Sequence, residues 1–126
     1  MRDLILIGVC GAFGAIARFG LSRWVQPRVV FDFALGTLAV NVLGCLLFGL
    51  LIQAAEVSES LSDSTRNALG IGFLGAFTTF STFSWDTVRH IQERHWHLAA
   101  ANVGANVVFG LAAVWCGILI GRALLP

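Results

Sequence analysis

Charge is scarce in this sequence of 126 residues. Asp, Glu, Lys and Arg make up 12% of it, against 57% hydrophobic residues and a mean hydropathy of +0.83. Soluble domains carry about twice that share of charge, so the chain belongs in a bilayer. Four segments hold no Asp, Glu, Lys or Arg at all: Leu4 to Ala17, Phe33 to Ala55, Asn67 to Trp85 and Leu98 to Gly121. Asp3, Asp32, Glu56, Glu59, Asp63, Asp86 and Glu93 all fall at or near segment ends. This argues against a small proton-coupled multidrug antiporter, which needs a titratable carboxylate inside its first helix. A net charge of +1 with scattered arginines offers no basic patch for nucleic acid. Cys10, Cys45 and Cys116 sit in apolar runs, lack metal-ligand spacing and cannot all pair within one chain, so they read as small packing residues. No Ser/His pair or metal-spaced His cluster stands at membrane depth and no ATP motif is visible, so no enzyme is expected. His90, His95 and His97 gather beside Arg94 in a stretch that reads as a solvated loop.

A helix needs about 20 residues to cross the hydrocarbon. The last three uncharged segments qualify, and the first does once Arg18 is admitted, its stem carrying the guanidinium toward the interface or a protein contact. The expectation is therefore an all-α membrane protein, one transmembrane domain over 1–126 with helices at about 4–24, 33–55, 67–88 and 98–123. A cleavable signal peptide competes at the N-terminus, where Ala15-Ile16-Ala17 has the small-x-small form. The n-region is weak, Arg2 being offset by Asp3, and the segment is read as a retained helix.

Short connections follow, at Leu21 to Asp32 with Pro27, Glu56 to Arg66, and Val88 to His97. Four crossings put Arg2, Arg66 and Arg122 on one side, and Arg23, Arg28, Arg89 and Arg94 on the other with Arg18 nearby. Arginine bias orients membrane proteins, and this near-balance predicts insertion in both directions. Four helices leave little room for a lined conduit, so a homodimer is expected, antiparallel if both orientations exist. Gly8, Gly11, Ala12, Gly14 and Ala15 on the first helix, and Gly104, Ala105, Gly110 and Ala112 on the fourth, favour close packing.

The most telling stretch runs from Gly75 to Ser84, Gly-Ala-Phe-Thr-Thr-Phe-Ser-Thr-Phe-Ser, with five hydroxyls and three phenylalanines at membrane depth. It is too polar for lipid and too aromatic for an ordinary loop. Just before it, Gly70 to Gly75 matches G-x-G-x-x-G, but no strand-turn-helix unit surrounds the match and both flanks are hydrophobic, so no dinucleotide is expected. The glycines and threonines instead predict a break in the third helix near Gly75 to Thr79, with carbonyls turned inward. Asn41 stands mid-helix; Thr37, Asn41 and Gly44 share one face, as do Asn102, Asn106 and Gly110. These amides either tie helices together or supply donors along a path. Phe80 and Phe83 project from one side of a helix, with Phe73 and Phe77 continuing roughly the same way. Ring edges carry partial positive charge; with hydroxyl and amide protons they suit a small anion and hold it less tightly than a lysine or arginine would.

Three motifs, Gly11-x-x-Gly14-Ala15-x-x-Arg18, Gly36-Thr37-Leu38-x-Val40-Asn41 and Gly72-x-x-Gly75-x-x-Thr78-Thr79-Phe80-Ser81-Thr82-Phe83-Ser84, resemble the Fluc (CrcB-type) fluoride channels. The resemblance implies a passive fluoride exporter of microbial inner membranes, an antiparallel dual-topology homodimer with two pores built from both subunits. It implies that Asn41 is the pore asparagine, that Phe80 and Phe83 meet fluoride through ring edges, and that Ser81, Thr82 and Thr37 add hydroxyls; Asn106 joins these as a pore candidate from its own polar face on helix four. It further implies that Gly75 and Thr78 carbonyls hold a structural sodium ion, and that Arg18 serves packing or the vestibule. Helix four departs from the family pattern: where relatives often place a tyrosine or histidine and further hydroxyls, this chain has Asn106, Gly110 and Val114. A non-conducting structural subunit is the remaining alternative, and it leaves the hydroxyl and phenylalanine run unexplained.

Overall fold

The computed structural model describes residues 1–26, 33–57 and 61–125, and among these every regular element is helical. The first connection's Pro27, Arg28 and Asp32, and Glu59 of the second, lie outside the described residues. Helices α1 (Arg2–Val25), α2 (Leu35–Val57) and α6 (Trp96–Leu124) have 24, 23 and 29 residues. At about 1.5 Å per residue each exceeds the ~30 Å of hydrocarbon. All three are apolar enough to cross it.

The third expected helix is not continuous. It starts as α3 (Asp63–Asn67), widens into a π-helical segment (Ala68–Leu74), resumes as α4 (Gly75–Phe77), and passes through Thr78 and Thr79 into α5 (Phe80–Gln92). Its start lies four residues before the expected Asn67, because Ser62 caps it: the Ser62 hydroxyl accepts the Thr65 N–H at 3.2 Å. Within the π segment the Gly75 N–H reaches back five residues to the Gly70 carbonyl. Here α1 comes so close that a Cβ on Gly14 would lie 2.2 Å from the Phe73 carbonyl oxygen. Two backbones touch where any side chain would part them.

Burial is inverted relative to a soluble protein. The inside holds small residues such as Ala34, Ala68, Ala99 and Ala113 together with polar Thr37, Gln53, Thr79, His90 and Asn102. Leu4, Phe13, Phe19, Trp24, Leu111 and Trp115 point outward and are mostly exposed. Apolar side chains need no shelter from lipid, whereas amides and hydroxyls need partners.

Helices α2 and α6 form the most extensive contact, running parallel. Asn41 meets Asn106 along their length, and near their C-terminal ends the Arg122 Nε donates to Gln53 Oε1 at 3.2 Å. A Cβ on Gly49 would come within 2.2 Å of the Val114 carbonyl oxygen, and one on Gly117 within 2.2 Å of the Leu46 oxygen. Among the small residues expected to pack closely, Gly14 and Gly110 are buried, while Gly8 and Gly104 have nothing within 4 Å of a built Cβ. On α6 the tight approach falls instead at Gly117 and Gly121.

Candidate functional site

A helix that stops inside a membrane leaves amides and carbonyls unpaired, and the first question is where they go. Thr78 (φ −80°, ψ 160°) and Thr79 (φ −149°, ψ 114°) are both extended. The Thr78 N–H and hydroxyl both bond the Leu74 carbonyl, at 3.0 Å each. Thr79 is gripped by a single side chain: its N–H donates to Asn41 Oδ1 at 2.8 Å, and its carbonyl accepts from Asn41 Nδ2 at 3.2 Å. The primary amide thus acts as a one-residue β-partner for the extended step. The Thr79 hydroxyl then caps α5, accepting the Thr82 N–H at 3.1 Å and donating to the Thr82 hydroxyl at 3.0 Å.

From Asn41 the hydrogen bonding continues across the bundle. Its second amide proton goes to Asn106 Oδ1 at 2.9 Å. Asn106 donates to the Asn102 carbonyl and Oδ1 at 2.9 and 3.1 Å, and Asn102 donates to the Thr87 hydroxyl at 2.8 Å and the Phe83 carbonyl at 3.3 Å. Three asparagines from two helices therefore link the broken segment to α6. Of the two roles open to these amides, tying helices together is visible directly.

Two cavities flank the break and share Thr79 as a wall. One, of about 290 Å³, is lined by Asn41, Cys45, Thr78, Thr79, Phe80, Phe83, Asn106 and Val107. Among the described residues, no charged one borders it. The other, of about 270 Å³, includes Arg18, Ser22, Arg23, Thr37, Thr79 and Thr82. Arg18 reaches the break itself, Nη1 donating to the Thr78 carbonyl at 3.3 Å. Thr37 turns away from Asn41 and donates to Asp86 Oδ2 at 2.8 Å.

The expected residues thus divide into groups. Asn41, Phe80, Phe83 and Asn106 come together around the uncharged cavity; Thr37, Thr82 and Arg18 meet in the second. Ser81 lines neither, its hydroxyl lying 3.3 Å from that of Thr79. Gly75 and Thr78 border a third space of about 230 Å³ with Gly44, Phe48 and Val114. One expectation is corrected: Phe73 and Phe77 do not continue the side presented by Phe80 and Phe83. They form a separate stacked pair at 5.8 Å with Phe77 4% exposed, whereas Phe80 is 79% exposed and tilts at 53° to Phe83, 5.4 Å away. The extended step between Phe77 and Phe80 breaks the helical register that the expectation assumed.

Sequence reasoning missed three residues. Thr79 was one hydroxyl among five, although it is both the capping residue and the wall between cavities. Asn102 was placed on the Asn106 face but given no separate role, and Asp86 was noted only as lying near a segment end. Their partners lie far along the chain or across the bundle, and no local pattern marks them.

These features define a class: a small multi-pass helical membrane protein organised around an interrupted helix whose backbone is held by asparagine and arginine side chains. The chain belongs to the CrcB-like family, described as camphor resistance (CrcB), whose model matches residues 5–118. It is 42% identical over 122 residues to the fluoride-specific ion channel FluC of Nitratidesulfovibrio vulgaris, covering 97% of this chain and 98% of that one. It is similarly related to proteins of the same name from Sorangium cellulosum, 41% over 125 residues (99% and 98%), and Stutzerimonas stutzeri, 44% over 122 residues (97% and 98%).

Proposed function

We propose that this chain is a passive, fluoride-selective channel of the inner membrane that lets fluoride leave the cell. The observation that carries the reading is whole-length similarity, at 41 to 44% identity, to proteins named as fluoride-specific channels. A cavity of amides, hydroxyls and ring edges without a fixed charge supports it. Fluoride holds its water tightly, so a path must offer several donors yet release the ion. Both Asn41 amide protons already have acceptors, Thr79 O and Asn106 Oδ1. An ion passing Asn41 would exchange one neutral hydrogen bond for a charge-assisted one, a net gain of about 1 kcal/mol. Arg18 and Arg23 stand in the neighbouring cavity, where they attract anions to the entrance. Thr79 lies between the two cavities, and Thr82 lines the second, accepting from the Thr79 hydroxyl and keeping its own hydroxyl proton to donate. Outward movement is driven by a negative interior, about 2.3 kcal/mol per charge per 100 mV.

In this reading the chain crosses the membrane four times. Because α2 and α6 run parallel, the segment from α3 to α5 must return across the length of α2, and its two limbs form the third crossing. The working unit is an antiparallel homodimer with two pores. The outward-facing Phe80, largely uncovered in one chain, supports a second copy completing each path. The implied sodium fits the donors present. The Thr79 amide, which an unbroken helix would direct to the Gly75 carbonyl, bonds Asn41 instead. The Thr78 carbonyl has one lone pair turned to Arg18 and one remaining. Neutral carbonyl oxygens of Gly75 and Thr78, two from each copy, are the ligand type a hard cation takes. Its contribution would be to neutralise inward-facing carbonyls at the dimer centre.

The test is fluoride efflux from proteoliposomes, followed with a fluoride electrode and compared with chloride under the same potential. Fluoride release without a proton gradient, with little chloride release, supports the reading. Equal release of both halides, or dependence on a proton gradient, would overturn it.

A further inference from the structure

In the histidine-rich turn between α5 and α6, His95 and His97 are exposed as expected of a solvated loop, and His90 alone departs from that expectation. His90 lies on α5, is 0% exposed, and neither ring nitrogen has a hydrogen-bond partner among the described residues. The turn is a double-bonded helix closure: the His95 N–H bonds the His90 carbonyl at 2.8 Å and the Arg94 N–H bonds that of Ile91 at 3.0 Å. Arg94 takes φ 61°, the positive-φ position where such closures usually place glycine. This geometry sets the side chain just past the turn against the one at its base, commonly as an apolar contact. Here both are imidazoles, their ring centres 6.4 Å apart, and the cap residue beside them is Glu93, with Oε2 3.5 Å from His95 Nδ1.

One ligand atom from each of His90, Glu93 and His95 lies within 4.8 Å of the others. A tetrahedral ion with bonds of 2.0 to 2.2 Å holds its ligands about 3.4 Å apart. The three need close by only about 1.4 Å, within reach of side-chain rotation. Two imidazoles and a carboxylate suit a divalent transition ion and not calcium or magnesium, which prefer all-oxygen sets. The buried His90 with idle nitrogens is the independent sign, since buried polar groups normally find a partner.

We propose that the α5–α6 turn is a binding site for a divalent transition-metal ion, zinc by ligand type, held by His90, Glu93 and His95 with water in the fourth position. The ion would pin the end of the helix carrying Phe80 and Phe83 to the start of the helix carrying Asn102 and Asn106. Nothing in it depends on which ion the channel passes.

The experiment uses the purified full-length chain in detergent, free of any polyhistidine tag, titrated with cobalt(II) and followed by visible absorption. The expected result is saturation at one ion per chain, with the absorption bands of a tetrahedral nitrogen and oxygen site, and displacement by zinc. His95→Ala, at a half-exposed position, and Glu93→Gln should each weaken binding at least tenfold; Arg94→Gly, which keeps the turn, should leave it unchanged. His90→Gln should abolish the tetrahedral bands. Absence of saturable binding, octahedral bands only, or affinity unaffected by His95→Ala and His90→Gln would overturn the proposal.

Discussion

Helices α2 and α6 meet in two ways along their length. Toward their C-terminal ends they touch through glycine, with Gly49 and Gly117 against each other's backbone. Toward their N-terminal ends they touch through asparagine, with Asn41 bonded to Asn106 and both leading to the break at Thr79. The glycine contact is held by close packing, with one hydrogen bond from Arg122 to Gln53 beyond it, and a foreign group can only wedge it open. The asparagine contact is held by exchangeable hydrogen bonds, so under the proposed function a passing ion would substitute for one partner while the helices stay in place. The same two helices are thus joined by close backbone packing in one half and by replaceable polar partners in the other.

The largest effect should come from filling the closely packed half. Gly117→Leu forces a side chain into the Leu46 carbonyl and should destabilise the protein by about 3 kcal/mol or more. Thermal unfolding in detergent would show it, and a melting temperature near that of the parent would refute the contact described. Asn102→Ala tests the polar half by folding: the Asn106 amide keeps the main-chain carbonyl of residue 102 but loses the Oδ1 acceptor, the Thr87 hydroxyl loses its donor, and about 1 kcal/mol should be lost in thermal unfolding.

Asn41→Asp tests the proposed path most directly. A carboxylate still accepts the Thr79 N–H but donates to neither Thr79 nor Asn106, and its charge opposes an anion. A unit charge 4 Å away is worth about 4 kcal/mol at an effective dielectric of 20, so fluoride efflux should fall tenfold or more. Unchanged efflux would show that the ion does not pass this amide. Phe80→Ile should alter stability least, within about 0.5 kcal/mol, because the ring is 79% exposed in one chain. Efflux should nevertheless drop, and a variant that conducts like the parent would remove the ring from the path.

The break near Gly75 to Thr79 was legible in the sequence because glycine, threonine and phenylalanine cluster where a continuous apolar helix would use leucine. Asn41 was legible for the same reason, as a polar group out of place. The π-helical segment was not, because its five-residue hydrogen bond accompanies an approach of α1 set by Gly14, more than 50 residues upstream. Nor was the burial of His90, which follows from a turn closed through Arg94 that glycine usually makes recognisable. Phe73 and Phe77 were assigned to the wrong side because a helical period cannot be carried through two extended residues.

Asn41 makes one further point. Its amide completes the interrupted backbone at Thr79 while it also borders the uncharged cavity, so under the proposed function a substitution that removes its donors would act on architecture and passage at once. Because Thr79 is gripped through its main chain and Asn106 through its side chain, laboratory evolution toward a different cargo should alter positions 41 and 106 together.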